Sequence, residues 1–224
     1  MSEPTDIQTT PGSKMILTMV LVASICGVLI VGAFESTKAP IAENKRIMVE
    51  RAVFKVLPGA ATMREYAATA AGIQPMADGT VPPGGIKFYA AYDQSGALKG
   101  IAAEAASKGY ADMVRLLYGY DVKCQCIIGI SVVSMRETPG IGDRIITDQA
   151  FLKNFEALDV RVNSELTALA NEVKTVKHGT KSDPWQIDAI AGATITSKAV
   201  GRGINESAQK LLPKLFPHIG ELKP

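Results

Sequence analysis

Histidine is scarce in this chain of 224 residues: His178 and His218 are the only two, and neither stands at ligand spacing from a partner. There is no H-E-x-x-H, no G-x-S-x-G and no Walker loop. The zinc-hydrolase, serine-hydrolase and nucleotide chemistries that depend on those spacings are therefore excluded. An excess of charge of one sign is also missing. Lys and Arg number 24 against 22 Asp and Glu, so the chain lacks the basic footprint of a nucleic-acid binder. Tryptophan occurs once, as Trp185 in KSDPWQI, which reads as a half-buried loop anchor or a platform for an aromatic ligand. Internal repeats and low-complexity tracts are absent. Cysteines number three. Cys26 sits in an apolar run. Cys124 and Cys126 form a C-x-C within KCQCIIGISVV, read as strand, where period-2 alternation puts both on one face. They read best as small core residues, since a disulfide between strand neighbours has poor geometry. Half of a metal or iron–sulfur site is the alternative, but no second C-x-x-C accompanies them.

One long apolar run is present. Residues 15–34, MILTMVLVASICGVLIVGAF, carry no charge, with Lys14 before and Glu35 after. As a helix this run spans about 30 Å, the thickness of a hydrocarbon core. It is too long for a cleaved signal and no A-x-A site ends it. Ile25 precedes Cys26 where a lipoprotein signal needs a small residue. The run is expected to be a single transmembrane helix behind a disordered tail, residues 1–14. Lys38, Lys45, Arg46 and Arg51 follow the span, so the positive-inside count weakly puts the rest of the chain in the cytoplasm.

Residues 35–84 read as linker and helical segment. Pro40 marks a short link at 35–43, a helix runs from Asn44 to Leu57 and ends at Pro58-Gly59, and 71–85 is a loop rich in Gly and Pro. IKFYAAYD and ALKGIAAEAA, split by QSG, read as a strand pair. Residues 105–120 give no clear signal, and 122–134 read as a strand. Residues 147–158 suggest a short helix capped by Thr147 or Asp148. The last helix is expected over 197–212, with Val200, Ile204, Ala208, Leu211 and Leu212 on one stripe. The soluble part is thus expected to be α+β, with a mainly antiparallel sheet flanked by helices.

Two stretches carry the chemistry. In ETPGIGDR, Glu137, Thr138, Pro139, Gly140 and Gly142 make a backbone that bends sharply and leaves amides accessible to a flat ring or an anion. An ordinary strand-to-helix turn would look the same. In DAIAGATITSKAV, small residues surround Thr194 and Thr196 just ahead of the last helix. A helix start offers unpaired amides and a positive dipole end, which together stabilise a phosphate. With the helix starting near Thr196 or Ser197, Thr196 is expected to cap it. Thr194 is then the free hydroxyl, and its small neighbours admit a bulky group.

The second stretch resembles the flavinylation motif of the FMN-binding domain family, D-x-x-[ST]-G-A-T-x-[ST]: Asp188, Gly192, Ala193, Thr194 and Thr196 match, with Ile195 at the variable place. ETPGIGDR resembles that family's second hallmark, about fifty residues upstream. With the single span, the pattern is similar to the G-subunit family of Rnf-type electron-transport complexes, and more distantly to the C subunits of sodium-pumping NADH:quinone oxidoreductases. One departure is Ala191, where the family usually has Ser or Thr.

This resemblance implies an FMN-binding domain over 85–224, with FMN joined through its phosphate to Thr194 and its ring against the Glu137–Gly142 turn. It implies an electron relay without a substrate site of its own or any catalytic base. The partners implied are the other membrane subunits of a Rnf-type complex that moves Na+ or H+, and a flavin transferase for maturation. The location implied is the inner membrane, with the domain on the periplasmic side, against the charge count. A stand-alone extracytoplasmic flavin carrier and a flavin-free anchored binding module are the alternatives.

Overall fold

The computed structural model describes residues 11–69, 72–76 and 80–223. The chain divides into two compact units between Ile47 and Met48. Helix α1, Gly12–Val56, supplies the first unit and the start of the second. In the first unit its residues are exposed through Arg46, and the apolar run of 15–34 lies wholly within it, as a membrane span requires. Thr18 and Thr37 turn their hydroxyls onto carbonyls of the preceding turn, Lys14 and Ala33, and so add no unpaired donor. The link expected at 35–43 is not a break, because the helix passes through Pro40. A proline removes a single amide donor from the ladder, and the Ala, Glu and Lys residues around it favour helix. Of the tail expected at 1–14, residues 1–10 lie outside the described residues, and the helix has begun by Gly12.

The second unit is built on a seven-stranded antiparallel sheet, in the order β2-β1-β3-β4-β5-β6-β7. Its main strands are β1 Thr62–Thr69, β3 Ile86–Tyr92, β4 Leu98–Lys108, β5 Met113–Asp121 and β6 Cys126–Ser134. The edges are the short β2 Gly72–Pro75 and β7 Leu158–Asp159. The expected strand pair is β3 and β4. The sheet starts well ahead of residue 85, and β2 lies inside the stretch expected to be loop. Its four residues pair with β1, a cross-strand partnership that Gly and Pro content conceals.

The two faces of the sheet pack against different helices. Tyr66, Phe88, Ala103, Tyr118 and Ile130 oppose one another across five strands and face one core. The 22-residue helix α4, Thr194–Leu215, closes that core with Val200, Ile204, Ala208, Leu211 and Leu212, all at most 1% exposed. The opposite face carries Ala91, Ala102, Gly119 and Gly129. The end of α1, through Val49, Val53 and Val56, packs against this face. Any side chain at Gly119 would strike the Val56 carbonyl, so the glycine there is what lets the helix lie close.

The C-x-C reading is corrected by the structure. Residues 122–125 are a four-residue turn between β5 and β6, not strand. Gln125 takes a left-handed conformation, φ 51°. That bend brings the Cα atoms of Cys124 and Cys126 to 5.2 Å, and the two sulfurs are bonded as a disulfide. Strand alternation would have held them apart on one face.

Past β6 the chain forms two one-turn helices, α2 Arg144–Thr147 and α3 Gln149–Leu152, and then a 3-10 turn, Lys153–Phe155. The single short helix expected over 147–158 is therefore broken. Its cap is Asp148, which accepts the Phe151 amide at 3.1 Å. A parallel pair, β8 Lys174–Val176 and β9 Gln186–Asp188, leads into α4.

Candidate functional site

The stretch from Asp188 to Ser197 is fixed from behind. Asn154 clamps Asp188 at two points: its Oδ1 accepts the Asp188 amide at 3.0 Å, and its Nδ2 donates to the Asp188 carbonyl at 3.3 Å. The Asp188 carboxylate accepts the Gly179 amide at 2.7 Å. Nδ1 of His178 donates to the Ala189 carbonyl at 2.9 Å. A guanidinium nitrogen of Arg144 donates to the Ala191 carbonyl at 3.3 Å, while the other end of the group is paired with Asp148 at 2.8 Å. The Phe151 amide, with Arg144 behind it, holds the Asp148 carboxyl below the usual range against the opposing effect of burial. Ser197, fully buried, accepts the Ile190 amide at 3.1 Å and donates to the Ala193 carbonyl at 2.9 Å. The loop is thus pinned along its length before the helix begins.

Helix α4 begins at Thr194, two to three residues earlier than expected, and no side chain caps it. The cap expected at Thr196 is corrected. Thr196 lies inside the first turn, 2% exposed, and donates its hydroxyl to Glu137 Oε2 at 2.7 Å. Ser197 does the closing work instead, because its hydroxyl reaches back to Ile190 across a tight turn. Thr194 is exposed, and its hydroxyl has no partner among the described residues. Gly192, at φ 84° with open space where a Cβ would stand, and exposed Ala191 leave the approach to Thr194 clear. The amides of Thr194, Ile195 and Thr196 likewise find no acceptor among the described residues. That is the usual state of a helix start, and it favours negative charge.

Glu137 joins the two stretches. Its carboxylate accepts the amides of Ala111 at 3.1 Å, Tyr110 at 3.3 Å and Asp112 at 3.4 Å, besides the Thr196 hydroxyl. Burial acts to raise its pKa, but the Thr196 hydroxyl and the three amides outweigh burial and hold the carboxyl below its ordinary value. Glu137 therefore ties the β4–β5 turn to the start of α4, and its oxygens are already engaged. Two of the turn's amides are engaged as well: Ile141 and Gly142 both donate to the Thr138 carbonyl, at 3.2 and 3.0 Å. Thr138, Pro139 and Gly140 stand exposed, with Gly140 at φ 78° over open space. Gly142 is buried, and a Cβ there would lie 2.6 Å from Glu137 Cβ.

Around this junction the surface is apolar where it is open. Tyr110, Ile141 and Ile195 are exposed by 67%, 50% and 51%. Beside Ile195 is a cleft of about 270 Å³ lined by Glu172, Val173, Lys174, Thr175, Lys198 and Arg202, three cations against one carboxylate. Lys198 follows Thr194 by four residues, which puts both on one helix face. The site thus offers a free hydroxyl, a positive helix start, cations and exposed apolar side chains. Such a set accepts a phosphate ester with a flat apolar body. Asp143 Oδ1 is buried and lacks a donor among the described residues, so the turn also has an acceptor to spare.

Sequence reasoning missed Ser197, Asn154 and Arg144. Ser197 carries a signal, a third hydroxyl just after the two threonines. Asn154 and Arg144 act from 30 to 50 residues away and carry none. Trp185 is half-buried, in line with a loop anchor, and His178 is exposed.

Residues 109–209 match the sequence profile of the FMN-binding domain. That window holds Glu137, the glycine turn and Thr194 together. Over 191 residues the chain is 29% identical to the G subunit of the ion-translocating oxidoreductase complex of Methanosarcina acetivorans, covering 84% of this chain and 88% of that protein. It is 27% identical over 187 residues to the G subunit of the proton-translocating ferredoxin:NAD(+) oxidoreductase complex of Clostridium ljungdahlii, covering 84% of each. In fold it is similar to the crystal structure of the C subunit of the Na(+)-translocating NADH-quinone reductase of Parabacteroides distasonis. The TM-score is 0.60, with 78% of this chain and 94% of that one covered at 16% identity. At that identity the likeness is one of fold.

Proposed function

We propose, on the premise that residues 109–209 are an FMN-binding domain, that this chain is a membrane-anchored electron-transfer protein with FMN carried on Thr194. The observation that carries the attachment is the division of labour between two hydroxyls: Thr196 is buried and spent on Glu137, while Thr194 is exposed and unpartnered. The cofactor fits the residues present. A phosphoester on Thr194 Oγ1 puts its charge at the positive start of α4, beside Lys198. Tyr110, Ile141 and Ile195 give an apolar ring something to cover, and Asp143 Oδ1 gives a flavin N–H or hydroxyl an acceptor. The flavin, when bound, takes up and gives up electrons, and the chain's own work is to hold it. Ser197, Asn154 and Glu137 hold the loop and the turn at fixed separation, and α4 neutralises the phosphate.

The similarity to G subunits supports membership of an ion-translocating oxidoreductase complex of the Rnf type. In that reading the partners are its other membrane subunits, with a flavin transferase for maturation and a span within the inner membrane. We place the domain on the extracytoplasmic side. A disulfide between Cys124 and Cys126 belongs to an oxidising compartment, and that outweighs a charge count decided by a few residues.

Denatured protein, made together with its transferase, is expected to give a fluorescent flavin band in a gel, and Thr194→Ala to give none. Native protein without a band rejects the covalent link. On spheroplasts, added protease should cut the domain, and cleavage only after lysis rejects the orientation.

A further inference from the structure

The β5–β6 turn holds a second chemical site, far from the first. Its disulfide bridges residues only two apart, Cys124 and Cys126. A cross-link stabilises a fold by restricting the unfolded chain, and the restriction shrinks as the closed loop shortens. A bridge this short therefore adds little as a staple. The hairpin is also held without it. Asp121 pairs with Cys126 and Tyr120 with Ile127 in the ladder, and the Asp121 carboxylate accepts the Lys123 amide at 2.7 Å inside the turn.

The two sulfurs are not equivalent. Cys124 is exposed on the turn, whereas Cys126 is 6% exposed at the start of β6. Between them Gln125, with a side chain, holds φ at 51°, a region that glycine favours. The Gln125 carbonyl accepts the Val160 amide at 3.2 Å, so this constrained residue also anchors the chain just past β7. An exposed bridge over a constrained residue, giving little stability, is the type that exchanges rather than the type that staples.

We propose that Cys124–Cys126 is a reversible thiol–disulfide exchange site, attacked at Cys124 by an external dithiol of the thioredoxin-like class. The attacking thiolate bonds to Cys124 Sγ, the Cys124–Cys126 bond breaks, and Cys126 leaves as a thiolate that takes a proton from solvent. The second thiol of the reductant then displaces Cys124, which leaves as a thiol. Two electrons and two protons reach the pair, and the dithiol becomes a disulfide. Opening the ring frees Gln125 and loosens the Val160 anchor. Glu137 lies beyond the opposite end of β6, about 27 Å away by strand rise, so the exchange runs separately from the flavin reading and rests only on the bridge being formed.

The test uses the full-length chain with Cys26→Ser, purified in detergent without reductant. It is equilibrated with mixtures of reduced and oxidised glutathione, alkylated under acid quench, and weighed intact. The bridge is expected to open in the folded protein as reduced glutathione rises, adding two alkyl groups. Cys126→Ser is expected to take glutathione on Cys124, and Cys124→Ser to react at least about tenfold more slowly through Cys126, as its burial requires. Amide exchange at Val160 should quicken on reduction while that of Ser197 stays unchanged. Free thiols in the unreduced protein, a bridge that opens only in denaturant, or equal reactivity of the two variants overturns the proposal.

Discussion

The two hallmark stretches look alike in sequence, each a run of Gly, Thr and small residues, yet they are built in opposite senses. Residues 188–197 are fastened from behind by Asn154, Arg144, His178 and Ser197, and present one bare hydroxyl, that of Thr194. Residues 137–142 are fastened outward by Glu137 to the amides of 110–112 and inward by Ile141 and Gly142 on the Thr138 carbonyl, and present an exposed Thr138–Gly140 backbone and an apolar Ile141. A single 2.7 Å bond, Thr196 to Glu137, joins them. The difference separates holding from bearing: motif residues that look like ligands are in several cases the frame, and the ligand-bearing atoms are those the frame leaves free.

Four substitutions sharpen or break that division. Thr194→Ala has the largest expected effect, complete loss of covalent flavin with the melting temperature unchanged, since an exposed, unpartnered hydroxyl contributes within about 0.5 kcal/mol to stability. A fall in melting temperature would make Thr194 part of the frame. Ser197→Ala should do the reverse. It strands the buried Ile190 amide at a cost of about 2 kcal/mol, seen as a lower melting point of the full chain in detergent, while the hydroxyl at Thr194 stays available. Thr196→Val removes one hydrogen bond to a carboxylate, at a cost of about 1.5 kcal/mol, and should keep the flavin band. Losing the band there would move the attachment to Thr196.

The smallest effect is in pH. The folded pKa of Glu137 is held low, so below the ordinary carboxylate value the unfolded chain binds the proton more readily. The stability Glu137 contributes is present above that value, about 4.3, and drains away as pH falls through the folded pKa. Glu137→Gln should flatten the acid limb of a melting-temperature profile and leave the neutral region less changed. An unaltered acid limb would show that Thr196 and the three amides do not hold Glu137 charged.

What the sequence made legible was local or periodic. The apolar run of 15–34, the stripe on α4 and the strand–turn–strand reading of β3 and β4 each follow from residues near in the chain, and the two hallmark stretches from their composition. What it hid depended on partners distant in sequence. Gly72–Pro75 is strand only because β1 lies beside it, and Asn154 matters only because β9 passes it. Glu137 reads as a turn residue until the amides of 110–112 are seen to fall on it. Cys124 and Cys126 show the limit in miniature, since one left-handed residue, Gln125, turned an expected strand face into a closed ring.

The central claim, that Thr194 and not Thr196 bears the cofactor, is tested most directly by fragmenting the tryptic peptide of residues 182–198 from protein matured with its transferase. The account predicts an FMN mass that divides the fragment series at Thr194. A division at Thr196, or a peptide without FMN from fluorescent protein, would contradict it.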